Sequence, residues 1–329
     1  MSTATVGGRL TSPTGRLVLP SSAPRSDWLA ARRDGITATD LVGIIGQSNY
    51  TGPADVWLDK TSDFPVSDDG ASEAAMWGLD FEDDIALRWA ERHSMKVRRV
   101  GLLAKDGDDW MRASLDRLVT PGCNLDGMCG LEIKTRNAFV ADQWATGIPA
   151  SVATQVQWQM AVTGLGHIHV AALIGGQRLV EYTVERDEER IDELTAAGAR
   201  FWACVLAREL PEIDPATWTP DQLDKLFPNR EGIREVGDAA YGALSEYDAA
   251  TKVIATYIAA KELARTKLVA LLGDGEVGCV DGIELYTYKQ AERTSVDAKA
   301  LRADWPDAYA ATAKTTTSRT FRVTRKGKS

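Results

Sequence analysis

Glu132 and Lys134 stand two residues apart in the run Gly130-Leu131-Glu132-Ile133-Lys134-Thr135. Side chains alternate faces along a strand. In a strand, then, the acid and the amine project together while Leu131 and Ile133 turn into a core. A carboxylate and an ammonium fixed side by side suit the holding of a divalent cation with a water next to it. Upstream, Ser114-Leu115-Asp116 reads as the end of a neighbouring strand that brings a second carboxylate. Asp followed by Glu-x-Lys on adjacent strands is the pattern of a metal-dependent phosphodiesterase site. Alone, Glu-Ile-Lys is more often a solvated face with a weak ion pair, so the surrounding residues decide.

Two further side chains fall where such a site would use them. Glu82 lies one step past Phe81 on a helical stretch whose apolar positions Trp77, Phe81, Ile85 and Trp89 recur at helical spacing and are expected to face a core. Gln155 lies on the helix expected after the Glu-x-Lys strand. Hydrolysing a phosphodiester requires a nucleophilic water near neutral pH and relief of charge on the leaving oxygen. A pair of metal ions about 3.5–4 Å apart supplies both. Carboxylates retain Mg²⁺ while leaving positions for water and phosphate, and a fixed lysine adds positive charge beside the scissile group.

Composition narrows the chemistry. The 329 residues carry a net charge of −9 with 44% apolar residues, ordinary for a globular chain. That charge argues against a general nucleic-acid binder, although a DNA path needs only a local basic lining. Arg25, Arg32 and Arg33, and later Arg319, Arg322, Arg325, Lys326 and Lys328, are candidate patches. With three histidines and four irregularly spaced cysteines, neither a His-rich metal centre nor a zinc signature nor a disulfide framework is expected; Cys123 and Cys129 are read as turn-lining or buried thiols. The metal should be held by oxygen, hence Mg²⁺ with Mn²⁺ as substitute. No apolar run approaches the roughly 20 residues of a membrane span and no signal-peptide pattern opens the chain. A cytoplasmic, non-membrane protein is expected.

The elements that must position these residues follow from periodicity and punctuation. Residues 1–23 read as a loose tail. Helices are expected over 26–33, 41–45, 71–92, 150–162 and 186–208, and strands over 97–104, 110–118, 130–135, 167–174 and 178–184, the last two joined at Gly175-Gly176. This describes one α/β domain over 24–210. Four prolines between Pro211 and Pro228 suggest a linker over 211–230. A C-terminal appendage over 231–329 follows, with a helix from 237 to 272, a hairpin over 277–288, a helix over 296–309 and a basic strand over 320–325.

Taken in order, Trp28 through Asp40 (WLAARRDGITATD), Trp77-Gly78 with Glu82, Ser114-Leu115-Asp116, Leu131 through Thr135, Gln155-Val156-Gln157 ahead of Met160 through Gly164, and Glu185 through Glu188 resemble the YqaJ-type viral recombinase family. That family contains the phage lambda exonuclease and belongs to the PD-(D/E)XK nuclease superfamily. The likeness covers about residues 26–205. It implies a restriction-endonuclease-like core, a central mixed sheet flanked by helices.

The resemblance further implies Asp116, Glu132 and the Ile133 carbonyl as metal ligands, Glu82 as an outer carboxylate for a second ion, Lys134 as the residue that activates the attacking water, and Gln155 as the helix glutamine beside it. Arg32, Thr39 and Ser114 take the places that grip a DNA 5′-phosphate. The implied activity is 5′-to-3′ digestion of linear double-stranded DNA, leaving 3′ single strands for a strand-annealing partner of the RecT or Bet type in recombination. A toroidal trimer is implied as well. Val152 stands where the family often carries an aromatic residue, and the stretch between Asp116 and Glu132 is long, which leaves its register open. An endonuclease or a Cas4-like nuclease is the alternative within the superfamily, and a silent DNA-binding module the alternative outside it.

Overall fold

The computed structural model describes residues 10–62, 72–123, 127–314 and 319–323, in two compact units, Met1–Glu231 and Gly232–Ser329. The first unit runs β1 (Gly15–Pro20), α1 (Arg25–Arg33), α2 (Ala38–Ile44), α3 (Pro53–Thr61), α4 (Glu73–His93), β2 (Val97–Arg98), β3 (Gly101–Lys105), β4 (Asp108–Leu115), β5 (Arg117–Cys123), β6 (Gly127–Arg136), a 3-10 helix (Ala138–Trp144), α5 (Ala150–Thr163), β7 (His167–Ile174), β8 (Arg178–Glu185), α6 (Glu188–Ala207) and α7 (Pro220–Leu226).

A five-stranded sheet in the order β2-β5-β6-β7-β8 forms the centre, and β1-β3-β4 form a second sheet. Strands β6 and β7 pair in parallel while the other neighbours pair antiparallel. A parallel pair needs a crossover, and α5 supplies it. This is the α/β domain that the alternation of strands and helices indicated, with the central mixed sheet flanked by helices that the resemblance implied. Helix α5 packs on one face, where Val156 and Met160 join Ile168, Val170 and Ala172 of β7. On the other face α4 brings Ile85, Ala86, Trp89 and Ala90 onto Leu131, Ile133 and Ala171. Strand β6 is therefore covered on both sides, and its alternating residues address two different helices.

Local chemistry explains the corners. Thr37 and Asp40 cap α2 reciprocally, the arrangement in which side chains satisfy the first free N–H groups of a helix. Gly175 and Gly176 turn β7 into β8 with φ of 61° and 73°, a region glycine enters without penalty.

Several features differ from the expectations. The tail read over 1–23 contains β1, which pairs with β3; residues 1–9 lie outside the described residues. Helix α3 and the 3-10 helix carry too few periodic positions to announce themselves. The stripe on α4 is core only in its second half: Trp77 and Phe81 are 54% and 39% exposed and stack on each other at 5.6 Å. Periodicity alone does not say where the partner surface stops. The stretch 211–230 carries α7 and a buried Trp218.

The second unit holds α8 (Ala239–Leu272), the hairpin β9 (Val277–Val280) and β10 (Ile283–Thr287), α9 (Ala298–Asp304) and α10 (Pro306–Thr312). The helix expected over 296–309 is two helices, broken at Trp305-Pro306, where proline lacks the N–H that would continue the ladder. Residues 319–323 carry no strand; Arg325, Lys326 and Lys328 lie outside the described residues.

Candidate active site

Asp116 occupies the bend between β4 and β5. Pairing of β5 with β6 begins with Arg117 opposite Leu131, so beyond Leu131 the β5-side edge of β6 has no strand beside it. Asp116 fills that position: its Oδ2 accepts from the Ile133 N–H at 2.7 Å. A residue's N–H and C=O point to the same side of an extended strand, so the Ile133 carbonyl faces the same edge.

Glu132 is 2% exposed and both of its oxygens accept hydrogen bonds. Oε1 accepts from Lys134 Nζ at 2.5 Å and from Gln155 Nε2 at 2.5 Å, and Oε2 accepts from Gln159 Nε2 at 2.7 Å. Lys134 also donates to Gln155 Oε1 at 2.9 Å. The strand alternation thus brings the acid and amine to the same face, under α5. Burial, the Glu132 carboxylate and, more weakly, Glu82 push the Asp116 pKa well above the usual carboxylate range, against the pull of Lys134 and the Ile133 N–H. Two acids crowded against a single lysine, with a backbone carbonyl beside them, form an oxygen-donor set that fits a hard divalent ion, which would also relieve their mutual repulsion.

Glu82 approaches from α4, where Arg117 Nη1 donates to its Oε1 at 2.5 Å. The same guanidinium pairs with Asp83 and donates to the Asp116 carbonyl. In this geometry Glu82 is an ion-pair partner of a buried arginine beside the cluster.

Arg32 donates through Nη2 to Thr37 Oγ1 at 3.0 Å and Thr39 Oγ1 at 2.7 Å, and its guanidinium lies 4.7 Å from the Trp28 ring centre. Arg32, Thr39 and Ser114 line one small pocket together with Gln155 and Gln159. An adjoining, larger cavity is lined by Glu82, Asp116 and Arg117 and shares Trp28 and Ser114 with the first. Two of the residues expected to hold a metal, Glu82 and Asp116, thus line a cavity that shares Trp28 and Ser114 with the pocket of Arg32 and Thr39.

Sequence reasoning missed three contributors. Gln159 sits one helical turn past Gln155 and bridges Glu132 to the Ser114 carbonyl, the latter at 2.9 Å; its spacing from Gln155 was the available signal. Arg117 was next to Asp116 but its partners are remote in sequence. Lys60, 1% exposed, binds Asp40 at 2.8 Å and the Arg32 carbonyl at 2.8 Å, fixing the corner that presents Arg32. Gln157, by contrast, bonds the Glu185 carbonyl and the Asp187 N–H, a purely structural bridge.

Residues 27–166 match the model of the YqaJ-like viral recombinase domain. Over that stretch the chain is similar to the family, and the stretch contains every residue of the cluster. The Bacillus subtilis (strain 168) protein described as the uncharacterized protein YqaJ is 29% identical over 310 residues, spanning 92% of this chain and 95% of that protein. Among solved structures, the alkaline exonuclease LHK-Exo from Laribacter hongkongensis aligns with a TM-score of 0.47 at 23% identity, over 55% of this chain and 93% of its own. A phage related exonuclease from Haemophilus somnus 129PT aligns with a TM-score of 0.36 at 12% identity, over 53% of this chain and 96% of its own.

Proposed function

We propose that this chain is a divalent-metal-dependent exonuclease that digests linear double-stranded DNA from its 5′ ends, leaving 3′ single strands for a strand-annealing protein. The observation that carries this reading is the convergence of Asp116, Glu132 and Lys134 at the open edge of β6, where Gln155 and Gln159, which bond Glu132, also line the pocket of Arg32, Thr39 and Ser114.

Asp116, Glu132 and the Ile133 carbonyl would hold Mg²⁺, or Mn²⁺ in its place, and Glu82 a second ion or its waters. Bound there, the metal supplies a water acidified toward neutral pH and charge relief at the leaving oxygen. The protein's own contribution is positional. Gln155 and Gln159 hold Glu132 in one orientation, so its charge is fixed before substrate arrives. Lys134 is tied to both Glu132 and Gln155 and directs its ammonium at the position of the attacking water and the scissile phosphate, where a fixed charge is worth more than a mobile one. Arg32 offers a planar fork to a terminal phosphate, flanked by the hydroxyls of Thr39 and Ser114. Among the described residues no helix is long and apolar enough to cross a membrane. Assembly as a trimer, by which such an enzyme would enclose its duplex, belongs to the same reading.

Linear duplexes with 5′-phosphate or 5′-hydroxyl ends and covalently closed circles, each incubated with the protein with and without Mg²⁺, test it. Linear 5′-phosphate DNA should be consumed fastest, circles should survive, and Lys134→Ala or Glu132→Gln should abolish cleavage in folded protein. Cleavage of circles would make it an endonuclease. Tight binding of duplex ends without any cleavage would make it a binding module.

A further inference from the structure

We propose that Cys129, His167 and His169 form a second metal site, for Zn²⁺, on the face of the central sheet opposite the acidic cluster. Parallel pairing sets Gly130 opposite Ile168 and Leu131 opposite His169, which brings Cys129 level with His167. With a period of two, these three side chains share one face, while Glu132 and Lys134 occupy the other. The sequence, with its scattered cysteines and few histidines, had argued against a nitrogen- and sulfur-ligated centre; strand register assembles one from residues 38 and 40 positions apart in the chain.

The potential ligand atoms all lie within 4.8 Å of one another. Zinc bonds of about 2.3 Å to sulfur and 2.0–2.1 Å to nitrogen set tetrahedral donors roughly 3.3–3.7 Å apart, so small side-chain rotations close the site. Cys129 and His167 are buried, and His169 is half-buried. The rings are held. His169 lies 5.0 Å from the Trp89 ring, and the His167 ring sits edge-on to the His169 ring at 5.1 Å. His169 Nδ1 is 3.0 Å from Thr183 Oγ1. A neutral imidazole donating from Nδ1 presents its lone pair at Nε2, and such an outer partner commonly orients a metal-bound histidine.

The donor set decides the ion. One thiolate and two imidazoles suit Zn²⁺ and suit Mg²⁺ poorly, since Mg²⁺ prefers oxygen. The two sites should therefore fill independently, although they lie back to back through β6. An ion here would cross-link β6 to β7 beneath α4 and stiffen the strand whose other face bears Glu132 and Lys134.

Cobalt reports the site, because a cobalt–thiolate bond gives a charge-transfer absorption that the all-oxygen cluster cannot give. Full-length protein titrated with Co²⁺ should develop this band, saturating at one ion per chain, and Zn²⁺ but not excess Mg²⁺ should erase it. The band should persist in Glu132→Gln, disappear in Cys129→Ser, and require at least about 10-fold more cobalt in His169→Gln, since even outer-partner changes weaken metal sites by 10–100-fold. Should Cys129→Ser fail to fold, the half-buried His169→Gln carries the comparison. Folded wild-type protein without the band overturns the proposal. So does a band that survives in folded Cys129→Ser, since another thiol would then be the ligand.

Discussion

Arg117 and Glu82 meet at 2.5 Å, joining the first residue of β5 to the middle of α4. The arginine side chain is 4% exposed, Glu82 22% and Asp83 59%. That asymmetry sets the consequence of each deletion. Removing the arginine strands acids that water can still reach, so Arg117→Ala should cost about 1–3 kcal/mol, the range for charged hydrogen bonds, rather than the larger penalty of an unpaired buried charge. Because Arg117 also donates to the Asp116 carbonyl, cleavage should fall more than stability does. Urea denaturation and cleavage measured on the same preparation separate the two effects; an unchanged cleavage rate would reduce Arg117 to a structural tie.

Gln159 should matter for the same reason that it was hard to see. Its Nε2 serves both Glu132 and Ser114, while its Oε1 is buried without a hydrogen-bond partner. Gln159→Met preserves the volume, removes the unsatisfied oxygen and releases Glu132 Oε2. Stability should change little, whereas activity or Mg²⁺ affinity should drop by about 10–100-fold, as when an outer partner of a ligand is lost. Mg²⁺-dependence curves of cleavage check this, and an unshifted curve would remove Gln159 from the site.

The Arg32 pocket yields a prediction about selectivity. Arg32→Lys retains the charge but loses the planar fork. It should therefore reduce the preference for 5′-phosphate over 5′-hydroxyl ends while leaving cleavage of 5′-hydroxyl DNA near wild type. Initial rates on the two ends give the ratio directly; a preserved ratio would place phosphate recognition elsewhere.

How much of this was legible in advance follows from the range of each interaction. Glu132, Ile133 and Lys134 were readable because strand alternation is local, and Gln155 because it lies on the adjacent crossover helix. The Thr37–Asp40 cap was not read: the helix was expected from Leu41, and the cap starts it at Ala38. Lys60, Arg117 and Gln159 act through partners that only tertiary packing supplies. The Cys129, His167 and His169 grouping depends on parallel register, which no spacing rule encodes. Trp77 and Phe81 show the converse, a correct period whose side chains remain largely exposed among the described residues.

Asp40 gives the fold an acid-sensitive corner. Burial pushes its pKa up, but Lys60 and then Arg32 outweigh this and hold it below the usual carboxylate value. A folded pKa beneath the unfolded value of about 3.9 contributes stability that is present above that value and lost as pH falls through the folded pKa. Asp40→Asn should flatten this acid limb. At neutral pH it should also cost about 3–5 kcal/mol, since it leaves the buried Lys60 ammonium poorly paired. Denaturation of both proteins across the acid range checks the sign, and parallel curves would assign the acid transition to other groups.

The boundary of the first unit predicts where the chain can be cut. The prolines after residue 210 suggested an end there, yet the segment that follows is built into the fold. Trp57 Nε1 donates to the Glu209 carbonyl at 2.9 Å, Lys225 pairs with Asp55, and Trp218 is 6% exposed. Ending the chain near residue 210 removes the buried tryptophan, a loss of about 3–5 kcal/mol by the scale of large aromatic deletions, and uncovers α3, which carries Lys60. Residues 1–231 should instead fold cooperatively and retain short-substrate cleavage, because every residue of the candidate site lies within them. Thermal unfolding and cleavage by the two truncations decide it. A stable 1–210 fragment would show that α7 is dispensable, and a folded but inactive 1–231 fragment would show that the second unit completes the site.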